Sequence, residues 1–170
     1  MHGYTNVMRE GTAKPDTYMV KIFDRKNNVI VDYGCGAGFY CKYLQNFASK
    51  LYCVDIDTEA LEELKKNIND ATILTDVSSI PDHSVDVVFF ANSFHDMDKE
   101  ETVKNVERIL KDNGEVIIID WKKEQTMFGP PLSIRMNEED YLNAFANFRL
   151  ERKFDSELHH YGLVLKRQKI

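Results

Sequence analysis

No stretch of this chain approaches the ~18 uninterrupted apolar residues of a membrane-crossing helix, so no membrane partner is expected. Its first residues, Met-His-Gly-Tyr-Thr-Asn, lack a charged segment followed by an apolar one, which argues against a secretory signal. Cysteine is scarce. The three present have no paired spacing, which suits a reducing cytoplasm. Their pattern, C-x5-C-x11-C at Cys35, Cys41 and Cys53, is unlike common zinc spacings, so no metal site is expected. Excess positive charge is missing too. Net charge is −6 and Lys/Arg cluster only in short pairs such as Lys65-Lys66 and Lys122-Lys123, which argues against a nucleic-acid partner. Repeats, low-complexity tracts and linkers are absent. What is present is an ordinary globular composition, 43 % hydrophobic and 29 % charged. A chain of this length buries about 70 % of its unfolded surface, enough for one well-filled core. One domain over residues 1–170 is expected.

The pattern alternates strand and helix. Pro15 to Phe23 places Tyr18, Met19, Ile22 and Phe23 on one helical face, with Pro15 in the first turn. Val29 to Asp32 reads as a first strand. Phe39, Tyr40, Tyr43, Leu44 and Phe47 form a helical stripe. Leu51 to Val54 is a second strand, and Thr58 is expected to cap a helix with acids early and Lys65 and Lys66 late. Glu62 and Lys66 form an i,i+4 pair on that solvated face. Thr72 to Leu74 and Val85 to Phe90 are further strands. Asp98 with Glu101 starts a helix that Asn113-Gly114 is expected to stop. Val116 to Ile119 is the fifth strand, and Asn137 caps a last helix. Arg149 to Phe154 and Gly162 to Lys166 close as a strand pair. Five β-α units and a closing pair imply an α/β, doubly wound, Rossmann-like sheet.

The chemistry concentrates at residues 29 to 38, Val-Ile-Val-Asp-Tyr-Gly-Cys-Gly-Ala-Gly. A buried strand ends in an acid and turns through three alternate glycines into a helix. Glycine there supplies φ > 0 and leaves the backbone bare. A dinucleotide turn wants G-x-G-x-x-G, with a pyrophosphate on the helix N-terminus. Its third glycine would fall at position 39, which is Phe39. Asp32, aimed into the turn, suits a ligand with a cationic amine and a sulfonium rather than a pyrophosphate.

The pattern resembles motif I of the class I S-adenosylmethionine-dependent methyltransferases. The resemblance covers residues 14 to 125 well. It implies a seven-stranded sheet of order 3-2-1-4-5-7-6 with strand 7 antiparallel. S-adenosylmethionine is then the cofactor and S-adenosylhomocysteine the product. Asp32 would lie near the methionine amino group, with Gly34, Cys35, Gly36 and Gly38 lining the approach. Cys35 is a small filler rather than a nucleophile. Asp55 ends strand two, 21 residues beyond Gly34, where an acid accepts both ribose hydroxyls. Ile56 would pack on the adenine face, and Asp76 and Val77 would read the adenine amino group. Asn92 belongs to the segment lining the methionine end.

His95 and Asp96 are the catalytic candidates, because histidine titrates near neutrality and takes protons readily. Asn92 to His95 lacks both prolines of the Asn-Pro-Pro-Tyr motif of amino-methylating nucleic-acid enzymes. Residues 121 to 136 resemble those of small prokaryotic type 11 methyltransferases near the quinone-biosynthesis branch. This loop, with Trp121, Met127 and Phe128 as apolar walls and Arg135 for an anionic group, would build the acceptor pocket, and residues 1 to 14 would form a lid. A small-molecule acceptor is expected. The alternatives are a larger acceptor with a partner chain completing the site, and cofactor binding without turnover. The adjacent His159 and His160 would face opposite sides of a strand and bind no metal. The oligomeric state is not legible.

Overall fold

The computed structural model describes residues 14–23 and 27–168. The expected lid lies outside them, apart from Lys14. The β-branched run after Asn28 forms β1, Asn28–Tyr33, with Ile30, Val31 and Asp32 all buried. Six further strands join it: β2 (Ala48–Val54), β3 (Ala71–Leu74), β4 (Val85–Ala91), β5 (Leu110–Trp121), β6 (Phe148–Phe154) and β7 (His160–Arg167). Their order is β3-β2-β1-β4-β5-β7-β6. The first five are parallel, and β7 runs antiparallel to both β5 and β6. The doubly wound sheet expected from the sequence is therefore the fold.

Side chains alternate across the sheet, so each strand feeds two cores. Ile30, Phe89, Ile117, Ile119 and Val164 pack on one face with Met19 and Leu44. Val31, Val88, Phe90, Ile118 and Leu165 pack on the other with Val106, Ile109, Tyr141 and Phe145. Helix α1, Pro15–Ile22, begins on its proline and buries Tyr18, Met19 and Ile22 as expected.

Four local expectations shift. The helix after the glycine turn is only α2, Cys41–Leu44, tightening at once into a 3₁₀ turn, Gln45–Phe47, because Ala48 already enters β2. Asp57, not Thr58, caps α3, Thr58–Lys65. Its carboxylate accepts from Glu59 N and Ala60 N. The pairs on that helix are Glu62–Lys65 and Glu63–Lys66, at i,i+3. Helix α4, Lys99–Ile109, is capped by Asp98 as expected but ends before Asn113-Gly114. Buried Leu110 is already extended and partners Val85, so that dipeptide falls in the irregularity at the start of β5. Helix α5, Glu138–Ala144, carries the full capping box of Asn137 and Asp140. No helix among the described residues is long and apolar enough to cross a membrane.

Candidate functional site

β1 lies between β2 and β4, so the segments leaving their carboxyl ends meet over one crevice, the usual ligand position in an open α/β sheet. The turn after β1 folds back onto β2. Gly34 N and Cys35 N both donate to Val54 O, at 2.7 and 2.9 Å. Gly34, Gly36 and Gly38 take φ of 83°, 55° and 91°, in the left-handed region that excludes most side chains. At two of them packing adds to this demand. A Cβ on Gly34 would lie 2.5 Å from Ser93 Cβ, and one on Gly38 2.1 Å from Leu64 Cδ1. Their bareness lets the protein close on itself.

Asp55 holds the turn from the other side. Its Oδ2 accepts Gly36 N at 2.7 Å and its Oδ1 accepts Asp57 N at 2.9 Å. The carboxylate is thereby fixed at the lip of the crevice. Ile56 stands beside it, 88 % exposed, an apolar side chain with no core to enter. Asp32 is buried beneath the turn and accepts the Cys41 thiol at 3.1 Å. Asn92, which follows β4, has φ 55°. Both of its amide atoms are buried and have no hydrogen-bond partner among the described residues. Its chain neighbour Ser93 is the residue pressed on Gly34. An unsatisfied buried amide costs roughly 1–3 kcal/mol.

Asp76 is tied into its own turn, with Oδ1 accepting Ser78 N and Ser78 Oγ, and these bonds hold its carboxyl below the usual range. Val77 buries its side chain in the core. Cys35, Cys41 and Cys53, distant in sequence, gather behind the turn, with Cys41 Sγ 2.8 Å from Cys53 Sγ. No group of three His, Cys, Asp or Glu among the described residues is arranged to hold a metal ion.

His95 sits in a 3₁₀ turn, Phe94–Asp96, after β4, with its side chain buried. Its sequence neighbour Asp96 is the other catalytic candidate. The structure adds Asp120, at the carboxyl end of β5. His95 Nδ1 lies 3.1 Å from Asp120 Oδ1 and 3.2 Å from Oδ2. A carboxylate only accepts, so Nδ1 carries the proton. Trp121 N and the Tyr141 hydroxyl also donate to Asp120. Nε2 faces Asp96 Oδ2 at 3.4 Å. Burial pushes the imidazole pKa down, but the two carboxylates outweigh it and the net shift is upward.

Arg135 overturns its expectation. It is buried and spends its donors on the loop itself: Nε on Pro130 O, Nη1 on Lys122 O and Glu124 O, Nη2 on Phe128 O and Thr126 Oγ1. It also stacks over Trp121 at 5.0 Å. It organises the loop and is not placed to meet an anion. Trp121 is buried against His160 (4.2 Å between ring centroids), whereas Met127 and Phe128 are exposed. His159 takes φ 61° and is not extended, so the opposite-face argument fails there.

One further residue escaped the sequence reading. Glu157, in the β6–β7 loop, accepts from Tyr18 Oη at 2.7 Å and Tyr40 Oη at 2.5 Å through Oε2. Its buried Oε1 has no partner among the described residues.

Comparison with known proteins gives this geometry a context. A family model described as a methyltransferase domain matches residues 31–118. A solved structure assigned to the type 11 methyltransferases, from Sulfolobus solfataricus, is 56 % identical with a TM-score of 0.90, covering 93 % of this chain and 94 % of that one. A SAM-dependent methyltransferase from Aquifex aeolicus is 24 % identical with a TM-score of 0.82, over 92 % and 91 % of the two chains, a likeness of fold. An uncharacterised methyltransferase-like protein of Schizosaccharomyces pombe is 30 % identical over 98 residues, 55 % of this chain and 38 % of that one. The chain covers between 38 % and 59 % of the length of the curated relatives it matches.

Proposed function

Because this chain belongs to the methyltransferase-domain family of S-adenosylmethionine-dependent enzymes, we propose that it moves the cofactor's methyl group to a small-molecule acceptor that gives up a proton. The observation that carries this reading is the left-handed triple-glycine turn clamped to Asp55 at the crevice. The residues present fit the cofactor. Asp55 and exposed Ile56 suit a ribose and an adenine face, and the orphaned Asn92 amide and buried Asp32 suit an amino-acid end. Asp76 and the Val77 backbone N–H, beyond the end of β3, would read the adenine amino group. When bound, the cofactor supplies a sulfonium methyl, an electrophile whose leaving group needs no acid.

The chain's own residues then position the acceptor and receive its proton. His95 Nε2 is the proton acceptor. Asp120 fixes the tautomer from behind, and Asp96 stabilises the imidazolium. The Arg135-held loop forms an acceptor wall. A second reading, a larger acceptor with a partner chain, draws on Met127, Phe128 and Leu132, exposed on that loop.

The test is calorimetric titration with S-adenosylhomocysteine, with NADH alongside. Micromolar binding of the former alone is expected. A screen of small hydroxyl and amine compounds with methyl-labelled cofactor follows. Binding of NADH alone would overturn the reading. Label transferred only to protein would favour the larger acceptor.

A further inference from the structure

All three cysteines of the chain converge on one point behind the glycine turn. The fold does this from three elements. Cys35 belongs to the turn, Cys41 is the first residue of α2, and Cys53 lies on β2 with its Cα paired to that of Asp32 on β1. The Cys41 and Cys53 sulfurs are 2.8 Å apart, closer than two thiol sulfurs rest without bonding, and a disulfide needs about 2.05 Å. The Cys41 thiol also donates a hydrogen bond to Asp32 Oδ2 at 3.1 Å. A buried pair of this kind has no part in methyl transfer, where neither sulfur reaches the crevice.

We propose that Cys41 and Cys53 are an oxidative modification site, closing reversibly to a disulfide in the presence of peroxide. The neighbouring Cys35 thiol, and after it Cys41, pull the Cys53 thiol below its ordinary range, so Cys53 supplies the thiolate. The Cys53 thiolate attacks one peroxide oxygen. The O–O bond breaks, a sulfenic acid forms on Cys53, and hydroxide leaves. Cys41 sulfur then attacks the Cys53 sulfur. The S–S bond forms, the S–O bond breaks, and the departing hydroxide becomes water with the proton that Cys53 released on ionising. The Cys41 proton passes by way of Asp32 to the other hydroxide. Two thiols and one hydrogen peroxide thus give one disulfide and two waters, the sulfurs losing the two electrons that the peroxide gains. Closure fastens α2 to β2 and removes the S–H donor from Asp32. Oxidation therefore reaches the acid at the heart of the turn, whereas Cys35 stays a free thiol.

The test uses the whole chain with hydrogen peroxide as the oxidant, quenched, unfolded, alkylated and read by mass spectrometry with peptide mapping. The expected product is lighter by two hydrogens, takes one alkyl group (on Cys35) instead of three, and joins the peptides of Cys41 and Cys53. A phosphine reductant restores three alkylations. Cys41→Ser and Cys53→Ser should each lose the monomeric disulfide, and the wild-type map decides the matter should either variant fail to fold. Three alkylations after peroxide, addition of oxygen without a disulfide, or a bond to Cys35 would each overturn the proposal.

Discussion

His95 is held at both ring nitrogens by acids of different depth, Asp120 buried and Asp96 exposed. That arrangement has a pH signature. A histidine whose folded pKa lies above its ordinary 6.5 binds protons more tightly when folded. The stability it contributes is fully present below about pH 6.5 and is lost as pH rises through the folded value. A step that needs neutral Nε2 shows the opposite trend, rising through that same folded value. Asp120→Asn keeps an acceptor for Nδ1 but removes the nearer charge. The His95 midpoint should then fall toward or below 6.5, in an NMR titration of the ring and in the pH profile of turnover alike. An unmoved midpoint would sink the assignment of Asp120. This dyad was only half legible. His95 and Asp96 are neighbours in sequence and drew attention as a pair. Asp120 is 25 residues away, and only the parallel pairing of β4 with β5, which sets Ala91 beside Ile119, brings it into reach. Glu157 was illegible for the same reason at greater range, 117 residues from Tyr40.

At the scale of elements, local signals read well and long-range choices read poorly. The glycine turn, the Asp98 and Asn137 caps, and the proline at the head of α1 each depend on a few adjacent residues. Asp57 displaced Thr58 as a cap because both side chains suit the role and the backbone decides between them by one residue. Arg135 shows the limit. An arginine after a strand reads the same whether it meets an anion or its own loop's carbonyls. In the fold it is the hub of residues 122 to 135, a segment of bends with no helix or strand hydrogen bonds of its own beyond one 3₁₀ turn, Leu132–Ile134. Lysine keeps the charge and loses the planar fork. Arg135→Lys should therefore unpair the buried Pro130 carbonyl, loosen the part-buried carbonyls of Lys122, Glu124 and Phe128, and cost roughly 1–3 kcal/mol in a urea titration. Proteolytic nicking between Lys122 and Phe128 should accelerate well beyond what that global loss explains, because the loop opens locally. Equal nicking rates in the two proteins would show that the loop stands without its hub.

For the whole molecule, the sheet order brings Asp55, the turn, Ser93 and Asn92 together at the carboxyl ends of β1, β2 and β4, so the fold and the proposed cofactor site are a single construction. A ligand that binds there only when those strands are in place must stabilise the entire fold. At a hundred-fold excess over its dissociation constant the gain is about 2.7 kcal/mol. For a chain of this size that raises the melting temperature by roughly 5–10 °C. S-adenosylhomocysteine should produce this shift and NADH should not. Asp55→Ala separates the site from the scaffold. The substitution removes the carboxylate that grips Gly36 N and leaves β1 and β2 paired. It should cost ~1.5–3 kcal/mol of affinity and so erase most of the ligand-induced shift at the same ligand concentration. Its own melting temperature without ligand sets the baseline. A full shift retained in Asp55→Ala would mean that the ribose does not sit at the end of β2. A baseline that collapses would mean that Asp55 serves the fold before it serves the ligand.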